Sequence, residues 1–249
     1  MIFESSMNYT AAKTKALSMS AKLLTSRDYE ELCHASSTDA LSLGERTSLL
    51  EENDRISSYI YAKPVRDFVK TMALCLKTNT PNLNTEAAAI NHWSYVLWRK
   101  LGAVDKPSRS SLRRVLGTEM DLRNILWIYR LKQFHKIEGS AAVGHLLPAG
   151  YRLTRVTELV ECKDAPALVE ALAKSPYGEI FSNPADFRLG EQALAKAVRA
   201  QFRAESFRQN AACICKFLYE KHLEIRNIRT ITEGIKFGFP PEQILARIC

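Results

Sequence analysis

Apolar and polar positions alternate along most of this chain with the period of an α-helix. Between Leu122 and Tyr129 the apolar residues fall at i, i+3, i+4 and i+7, and between Ala89 and Leu97 they fall at i, i+4, i+7 and i+8. Alternating runs of β-branched residues bounded by turn residues, which would indicate strands, do not occur in the sequence. The pattern therefore predicts an all-α protein.

Capping residues and helix breakers indicate where the helices begin and end. Thr25 and Asp28 have the spacing of a capping box, and Ser37–Asp39 offers side-chain oxygens to a following first turn. Many of the glycines and prolines occur in short clusters that interrupt the helical pattern. Neither residue occurs between Glu191 and Gly234, so this stretch is predicted to form one long helix, or two that are jointed near Lys221 and His222.

The composition is that of an ordinary globular protein. The 249 residues suffice for one large domain or two modest ones, and 46% of them are apolar while 25% are charged. No uncharged apolar run reaches the length of about 18 residues that a membrane span needs. The segment Met1–Thr10 lacks the basic and apolar blocks of a secretory signal. The expected location is therefore the cytoplasm.

The chain carries an excess of basic residues and six cysteines. Lysine and arginine number 35 against 27 acidic residues, which gives a net charge of +8 that is spread over both halves of the chain. Such an excess suits nucleic acid, an anionic membrane surface or acidic partner proteins. The cysteines form no CxxC pair and no disulfide-like framework, so we expect reduced and mainly buried thiols.

An internal repeat is the most informative feature of the sequence. The order acid, aliphatic, Arg, Asn, Ile begins at Asp121 and returns at Glu224, 103 residues later. Self-similarity of this kind is typical of repeated structural units. Asn124 and Asn227 hold the amide position of the repeat, and we expect them to make hydrogen bonds between helices rather than contacts with a partner. The sequence therefore predicts two related helices.

No constellation of catalytic or metal-binding residues is apparent. Gly139–Gly144 has the glycine spacing of a phosphate loop but lacks the Lys-Ser/Thr pair that binds phosphate and magnesium. The five histidines are neither paired at i, i+4 nor flanked by a cysteine cluster, and no nucleophile motif occurs. Glu119 and Asp121 are interpreted as acids at a helix N-terminus. We therefore expect no catalytic site, no metal and no cofactor.

Three basic residues share one face of a predicted helix. Lys196, Arg199 and Arg203 repeat at i, i+3 and i+7, so this face has the spacing to follow a row of phosphates. Aromatic residues do not interleave with the row, and a solvated helix face is the simpler interpretation. A basic, all-helical nucleic-acid-binding protein is the alternative function that the row suggests.

Several segments, in a fixed order along the chain, resemble those of one known protein family. Phe217–Arg229, followed by Phe237–Pro240, is similar to the closing helix of the family. Gly117–Lys132 is similar to its internal helix, and Leu146–Gly150 resembles the element that follows. Tyr9–Tyr29 resembles the opening helix and turn. The family is the C/d family of stalk subunits found in V-type and A-type rotary ATPases (ATP synthases). Its typical members carry three repeats and a closing helix, so this chain is identified as a shortened member.

The resemblance implies a non-catalytic rotor subunit of the central stalk. Members of the family place one face on the cytoplasmic side of the membrane proteolipid ring, and their cavity receives the foot of the rotor shaft. The implied partners are central-stalk subunits and the proteolipid ring, with no small-molecule substrate and peripheral association with the cytoplasmic face of the membrane. The implied task is to couple the shaft to the ring during proton or sodium transport.

The repeat and the resemblance together predict a domain organisation and a set of candidate residues. Two pseudo-repeated helical domains, or three with one degenerate, form a funnel or clamp. Residues 1–118 form a compressed first repeat, 119–222 a second repeat, and 223–249 a closing helix that packs back on the first repeat. The candidate partner-binding residues are the arginines of the two signature helices, Arg123, Arg130, Arg226 and Arg229. The structural motif comprises Asp121, Asn124, Glu224 and Asn227.

Overall fold

A computed structural model describes residues 2–35, 48–78, 83–135, 143, 146–147, 150–153, 155–181, 187 and 190–249. Its helices, in chain order, are α1 (Ile2–Ser20), α2 (Ser26–Cys33), α3 (Leu49–Ser57), α4 (Lys63–Thr78), α5 (Leu83–Lys100), α6 (Lys106–Arg130), α7 (Val156–Glu161), α8 (Ala165–Ala173), α9 (Gly190–Ser206), α10 (Ala212–Lys236) and α11 (Pro241–Leu245). A 3₁₀ turn covers Leu101–Ala103, and a π-helical turn covers Leu131–His135. No strand occurs within the described ranges, and the predicted all-α class is confirmed.

The chain divides into two compact units, each described separately below. The terminal unit comprises residues 1–79, 103–108 and 202–249. The central unit comprises residues 80–102 and 109–201. The pseudo-repeated domains 1–118, 119–222 and 223–249, and the funnel or clamp that they would form, stay predictions. The predicted helix start at Ser37–Asp39 and the two glycines with phosphate-loop spacing, Gly139 and Gly144, lie outside the described residues.

In the terminal unit, α10 is the helix around which the others pack. It contacts α1, α2, α3, α4 and α11. Its first three turns are buried on almost every face, with Phe217, Leu218 and Leu223 at most 2% exposed. A helix that is buried on almost every face needs neighbours on all sides, and four helices and a short fifth supply them here.

The predicted joint near Lys221 is wrong, because α10 passes through this residue without a break. The chain is interrupted further upstream, between the end of α9 and the start of α10. There the side-chain Oδ1 of Asn210 accepts a hydrogen bond from the Ala212 amide at 2.8 Å. The Ala211 amide donates to Ser108 Oγ at 3.0 Å. These two oxygens satisfy amides that a continuous helix would have paired internally.

The end of α10 has the geometry that its Phe-Gly-Phe-Pro sequence favours. Gly238 adopts a φ of 71°, a left-handed conformation that residues with a Cβ rarely adopt. The amide of Phe239 donates to Gly234 O at 2.9 Å, and the amide of Gly238 donates to Ile235 O at 3.0 Å. This pair of bonds is a Schellman motif. Gly234 also has a packing role, because a Cβ there would lie 2.6 Å from Ile244 Cγ1.

In the central unit, α6 supplies much of the core. Its aliphatic residues from Leu112 to Ile128 are buried, as the 3.6-residue period predicts. The next aromatic ring, Tyr129, stacks on Phe187 with centroids 3.8 Å apart. The start of α9 approaches α6 closely, since a Cβ at Gly190 would lie 2.3 Å from Leu126 Cδ2. These contacts hold the two helices together through apolar surface.

The interpretation of Glu119 and Asp121 as acids at a helix N-terminus is wrong. The helix begins at Lys106, so both residues lie in its second half. Pro107 occupies the first turn, where its missing N–H costs nothing because first-turn amides have no partner within the helix. Glu119 instead accepts hydrogen bonds from Arg123 on the next turn, at 2.8 Å and 3.1 Å.

The capping box and the cysteines agree with the predictions. The amide of Thr25 donates to Asp28 Oδ2 at 2.6 Å, and Thr25 Oγ1 accepts from the Asp28 amide at 3.4 Å. The hydrogen bond from the Thr25 backbone lowers the pKa of the Asp28 carboxyl. None of the six cysteines forms a disulfide; Cys162 and Cys249 are partly buried and the other four are buried. Burial raises the pKa of the Cys213 thiol to about 11, so that this thiol stays protonated at neutral pH.

Candidate functional site in the two signature helices

The first signature helix, α6, carries a buried carboxylate that binds a distant stretch of main chain. Asp121 is 1% exposed. Its Oδ2 accepts hydrogen bonds from three consecutive amides, those of Tyr151 at 3.0 Å, Arg152 at 2.7 Å and Leu153 at 3.0 Å. Consecutive amides that converge in this way form a nest for an anion. The carboxylate therefore fixes residues 151–153 onto the middle of α6.

Two further residues complete the surroundings of this carboxylate. The hydroxyl of Tyr177 donates to Asp121 Oδ2 at 2.6 Å. Burial, together with this hydrogen bond, raises the pKa of the Tyr177 phenol above its usual value, so the hydroxyl keeps its proton and remains a donor. Gly150 allows the close approach of the main chain, because a Cβ at this position would lie 2.0 Å from Asp121 Oδ1. Any side chain at residue 150 would displace the carboxylate.

One turn further along α6, an amide side chain pairs with both polar groups of a single main-chain residue. Asn124 Oδ1 accepts from the Leu147 amide at 2.8 Å, and Asn124 Nδ2 donates to Leu147 O at 3.3 Å. Both residues are buried. We expected Asn124 to form a hydrogen bond between helices. This expectation is wrong, because its partner Leu147 lies outside any helix. The Asn side chain instead replaces the partners that the Leu147 backbone would have in regular structure.

The second signature helix, α10, places its acid in a similar role within the terminal unit. Glu224 is 3% exposed, and its Oε2 accepts from the Leu24 amide at 2.8 Å. Its other oxygen forms an ion pair with Lys221, one turn back on the same helix. The side chain of Lys221 is also buried, so each charge depends on the other for compensation. The acid therefore joins α10 to the segment that follows α1.

The amide of the second signature repeats the pairing of the first. Asn227 Oδ1 accepts from the Cys249 amide at 2.8 Å, and its Nδ2 donates to Cys249 O at 2.9 Å. The paired residue lies 22 positions downstream of Asn227, and in the first signature it lies 23 positions downstream of Asn124. The two signature helices therefore use their polar residues in the same way. In each, the acid accepts from main-chain N–H that is distant in sequence, and the Asn bonds to both the N–H and the C=O of a single distant residue.

Replacing either Asn by Ala is expected to destabilise the protein, and Asn124 more than Asn227. Asn124→Ala leaves the buried N–H and C=O of Leu147 without partners, which costs about 2–3 kcal/mol. Asn227→Ala is expected to cost about 1 kcal/mol, because the Cys249 backbone is only partly buried and can bond to water. Urea unfolding of both variants measures the difference. If the free energy of unfolding fell equally in both variants, or fell more in Asn227→Ala, the greater structural importance assigned to Asn124 would be contradicted.

The four signature arginines have different surroundings. Arg123 is only 14% exposed in its side chain and is committed to Glu119. Arg130 is 47% exposed and lies 3.4 Å from Glu191 at the start of α9. Arg226 is partly buried on α10, and Arg229 is exposed one turn further on. Arg130 and Arg229 are therefore the more accessible of the four for a partner, and the assignment of all four as partner-binding residues stays a prediction.

The end of α10 borders a groove of about 520 Å³ in the terminal unit. Its lining residues come from α10, the turn that follows and α11: Thr230, Glu233, Gly234, Phe237, Phe239, Ile244 and Arg247. Phe237 is 73% exposed, and Arg247 lies over the ring of Phe239 at 4.8 Å from its centroid. Arg229 precedes the first lining residue by one position. The exposed end of α10 thus combines aromatic rings with positive charge.

Other polar residues of the core were not indicated by any motif. Tyr177 and Lys221 complete the two acid sites, and a separate network joins Tyr9 to Asp105 and Ser108 in the terminal unit. The only usable signal was the i, i+3 spacing of Lys221 and Glu224, which is typical of helical ion pairs. Within the part of the chain that the structure describes, no cluster of three or more His, Cys, Asp or Glu residues is arranged to hold a metal ion. None of the described helices combines the length and apolar character of a membrane span.

The fold and the paired sites define an all-helical protein whose signature side chains hold remote segments of its own main chain. Comparison with family models agrees with this class. The model of the ATP synthase (C/AC39) subunit family matches residues 45–247, and the chain belongs to this family. The family consists of non-catalytic stalk subunits of V/A-type rotary ATPases. Comparison with curated proteins finds no match.

Proposed function

We propose that this protein is a rotor subunit that couples the central shaft of a V/A-type ATPase to the membrane proteolipid ring. Its place would be peripheral, on the cytoplasmic face of the membrane. The observation that carries the proposal is the family match over residues 45–247. The proposed partners are central-stalk subunits and the ring, and the proposed role needs no cofactor and no small-molecule substrate.

The buried acids and amides of α6 and α10 support a mechanical role. A subunit that transmits torque must deform little under load, and close-packed helices have low compressibility. Asp121 and Asn124 join α6 to residues 147–153 through five hydrogen bonds to main-chain groups. Glu224 and Asn227 likewise join α10 to Leu24 and Cys249. Within each unit these bonds resist sliding of the segments against the signature helix.

The exposed end of α10 is the surface that we propose for contact with a stalk or ring subunit. Aromatic residues and arginine are enriched in the centres of protein interfaces. Phe237, Phe239 and Arg247 are all exposed there, and Arg229 lies about two turns before Phe237 on α10. The groove between α10 and α11 would accept an apolar side chain of the partner, and the arginines would select acidic residues around it.

Purification of the complex from its native membrane tests this proposal. The tagged chain, captured in mild detergent, is expected to bring down proteolipid and central-stalk subunits. Arg229→Glu is expected to lower the recovered stalk or ring subunits on the order of tenfold, because it reverses a charge at the proposed interface. Quantitative mass spectrometry of the captured subunits measures the change.

Arg155→Glu is the matched control. Arg155 is exposed and lies in the central unit, and this substitution changes the charge by the same amount as Arg229→Glu. It should leave the recovered subunits unchanged. Capture of neither stalk nor proteolipid subunits by the unmodified chain would overturn the proposed function. Normal capture by the Arg229→Glu variant would instead overturn only the proposed contact at the end of α10.

A further inference from the structure

Much of the positive charge of this protein is concentrated where α5 meets α6. Between residues 92 and 118 the sequence has six basic residues and one acid, a net charge of +5 against +8 for the whole chain. Four of the six are arginines, whose planar guanidinium suits phosphate and carboxylate better than a lysine does. Long-range attraction to an anionic partner would therefore be strongest at this end of the central unit.

Aromatic side chains accompany these cations. Arg99 lies over the ring of Tyr95 at 5.7 Å from the centroid, and Arg113 of α6 lies over the ring of Trp98 of α5 at 5.1 Å. Tyr95 is 50% exposed. The two cation–π pairs place positive charge and aromatic surface side by side, across both helices. We call this surface the basic aromatic corner, comprising Tyr95, Trp98, Arg99, Lys100, Arg109 and Arg113.

One of these basic residues, Arg109, holds the turn at the corner in place. Arg109 Nη2 donates to Gly102 O at 2.8 Å, which ties the first turns of α6 in the central unit to the end of α5. Trp98 packs against the buried Met120 and Leu147. The backbone beneath the cations is therefore fixed, and an anionic partner would meet a preformed surface.

We propose that the basic aromatic corner binds the headgroup region of an anionic phospholipid bilayer. Tyrosine and tryptophan favour the membrane interface, where one end of the ring is apolar and the other is hydrated. Basic residues next to them gain about 1 kcal/mol each near anionic lipid, a fivefold change in affinity per cation. Nucleic acid is a poorer fit, because base stacking needs open ring faces and here arginines cover faces of both Tyr95 and Trp98.

Vesicle binding by the purified full-length chain tests the proposal without any other subunit. The chain is expected to cosediment with phosphatidylcholine vesicles that contain phosphatidylserine, and not with vesicles of phosphatidylcholine alone. Neutralising Arg99, Lys100 and Arg113 together with glutamine is expected to weaken binding on the order of a hundredfold, about fivefold for each cation. The matched control neutralises Lys196, Arg199 and Arg203 of α9 and should change binding by less than about fivefold. Equal losses in both triple variants would overturn the corner as the binding surface.

Tyr95→Ser separates a bilayer from other anionic partners. It should weaken vesicle binding several-fold while binding to polyglutamate and to single-stranded DNA stays unchanged, because only the bilayer offers an interface for the ring. Tighter binding to polyglutamate or DNA than to the anionic vesicles, with the same dependence on the corner cations, would overturn the proposal. Thermal unfolding of each variant shows that the exposed substitutions leave the fold intact. Because the assay contains the chain alone, its failure leaves the proposed assembly with rotary subunits unaffected.

Discussion

Asp121→Ala is expected to lower the free energy of unfolding by about 3–5 kcal/mol. The substitution leaves the amides of residues 151–153 and the Tyr177 hydroxyl without their common acceptor. The Tyr177 hydroxyl is buried and the three amides are partly buried. An unsatisfied buried donor costs about 1–3 kcal/mol, and a partly buried donor costs less because it can bond to water, so the four donors together account for the expected loss. Asp121→Asn, which keeps one acceptor oxygen and loses the charge, should fall between the alanine variant and the unmodified protein.

Urea unfolding and amide hydrogen exchange measure this effect. Exchange at residues 151–153 should accelerate in the alanine variant, because these amides lose their hydrogen-bond acceptor. Asp164→Ala is the control, since Asp164 is an exposed helix cap whose Oδ1 accepts from the Ala167 amide at 2.9 Å. Loss of such a cap typically costs about 1 kcal/mol. If Asp121→Ala cost no more than Asp164→Ala, the carboxylate would not have the role assigned to it.

Glu224→Ala is expected to be similarly damaging in the terminal unit, at about 3–5 kcal/mol. Removing one partner of a buried ion pair leaves an uncompensated charge, here the ammonium of Lys221. The Leu24 amide also loses its acceptor. Glu224→Gln keeps an oxygen for Leu24, and so it isolates the cost of the unpaired lysine. Chemical unfolding of both variants gives the two contributions.

A double-mutant cycle with Lys221→Met completes the measurement. The variant that combines Lys221→Met with Glu224→Gln should regain most of the lost stability, because no buried charge is left without a partner. Lys216 and Glu220 provide a control on the same helix, with their charged atoms 3.6 Å apart and their side chains partly exposed. Glu220→Gln should cost about 0.5 kcal/mol or less. No recovery in the Lys221→Met, Glu224→Gln protein would show that the pair is not coupled.

The sequence predicted the helices where the local signals were complete. The capping box at Thr25 was foreseen, and it is formed from neighbouring residues, as is the Phe-Gly-Phe-Pro end of α10. The interruption before α10 was not foreseen, because residues 207–211 contain no glycine or proline. One of the oxygens that satisfy this helix start, Ser108 Oγ, lies 103 residues away from the amide that it binds. A cap supplied by tertiary structure leaves no local pattern.

The repeat in the sequence identified the four residues that anchor the signature helices, although their partners were not predictable from it. Asp121 and Asn124 were selected by their recurrence as Glu224 and Asn227. Their partners are main-chain groups, and main-chain groups carry no residue-specific signal. Gly150 is the one position near these partners where the residue type matters, since its missing Cβ leaves room for the Asp121 carboxylate. The position of Asp121 in the helix was misjudged because Pro107 marks the true start of α6.

The two partly buried thiols offer a direct way to follow motion in this protein. Cys162 belongs to the central unit and Cys249 to the terminal unit, while the other four cysteines are buried. Thiol-reactive dyes should therefore label one position in each unit of the natural sequence. Burial raises the pKa of the Cys162 thiol, so labelling there should be faster at alkaline pH. Energy transfer between a donor and an acceptor dye at these positions would report whether the distance between the two labelled residues changes when a partner binds.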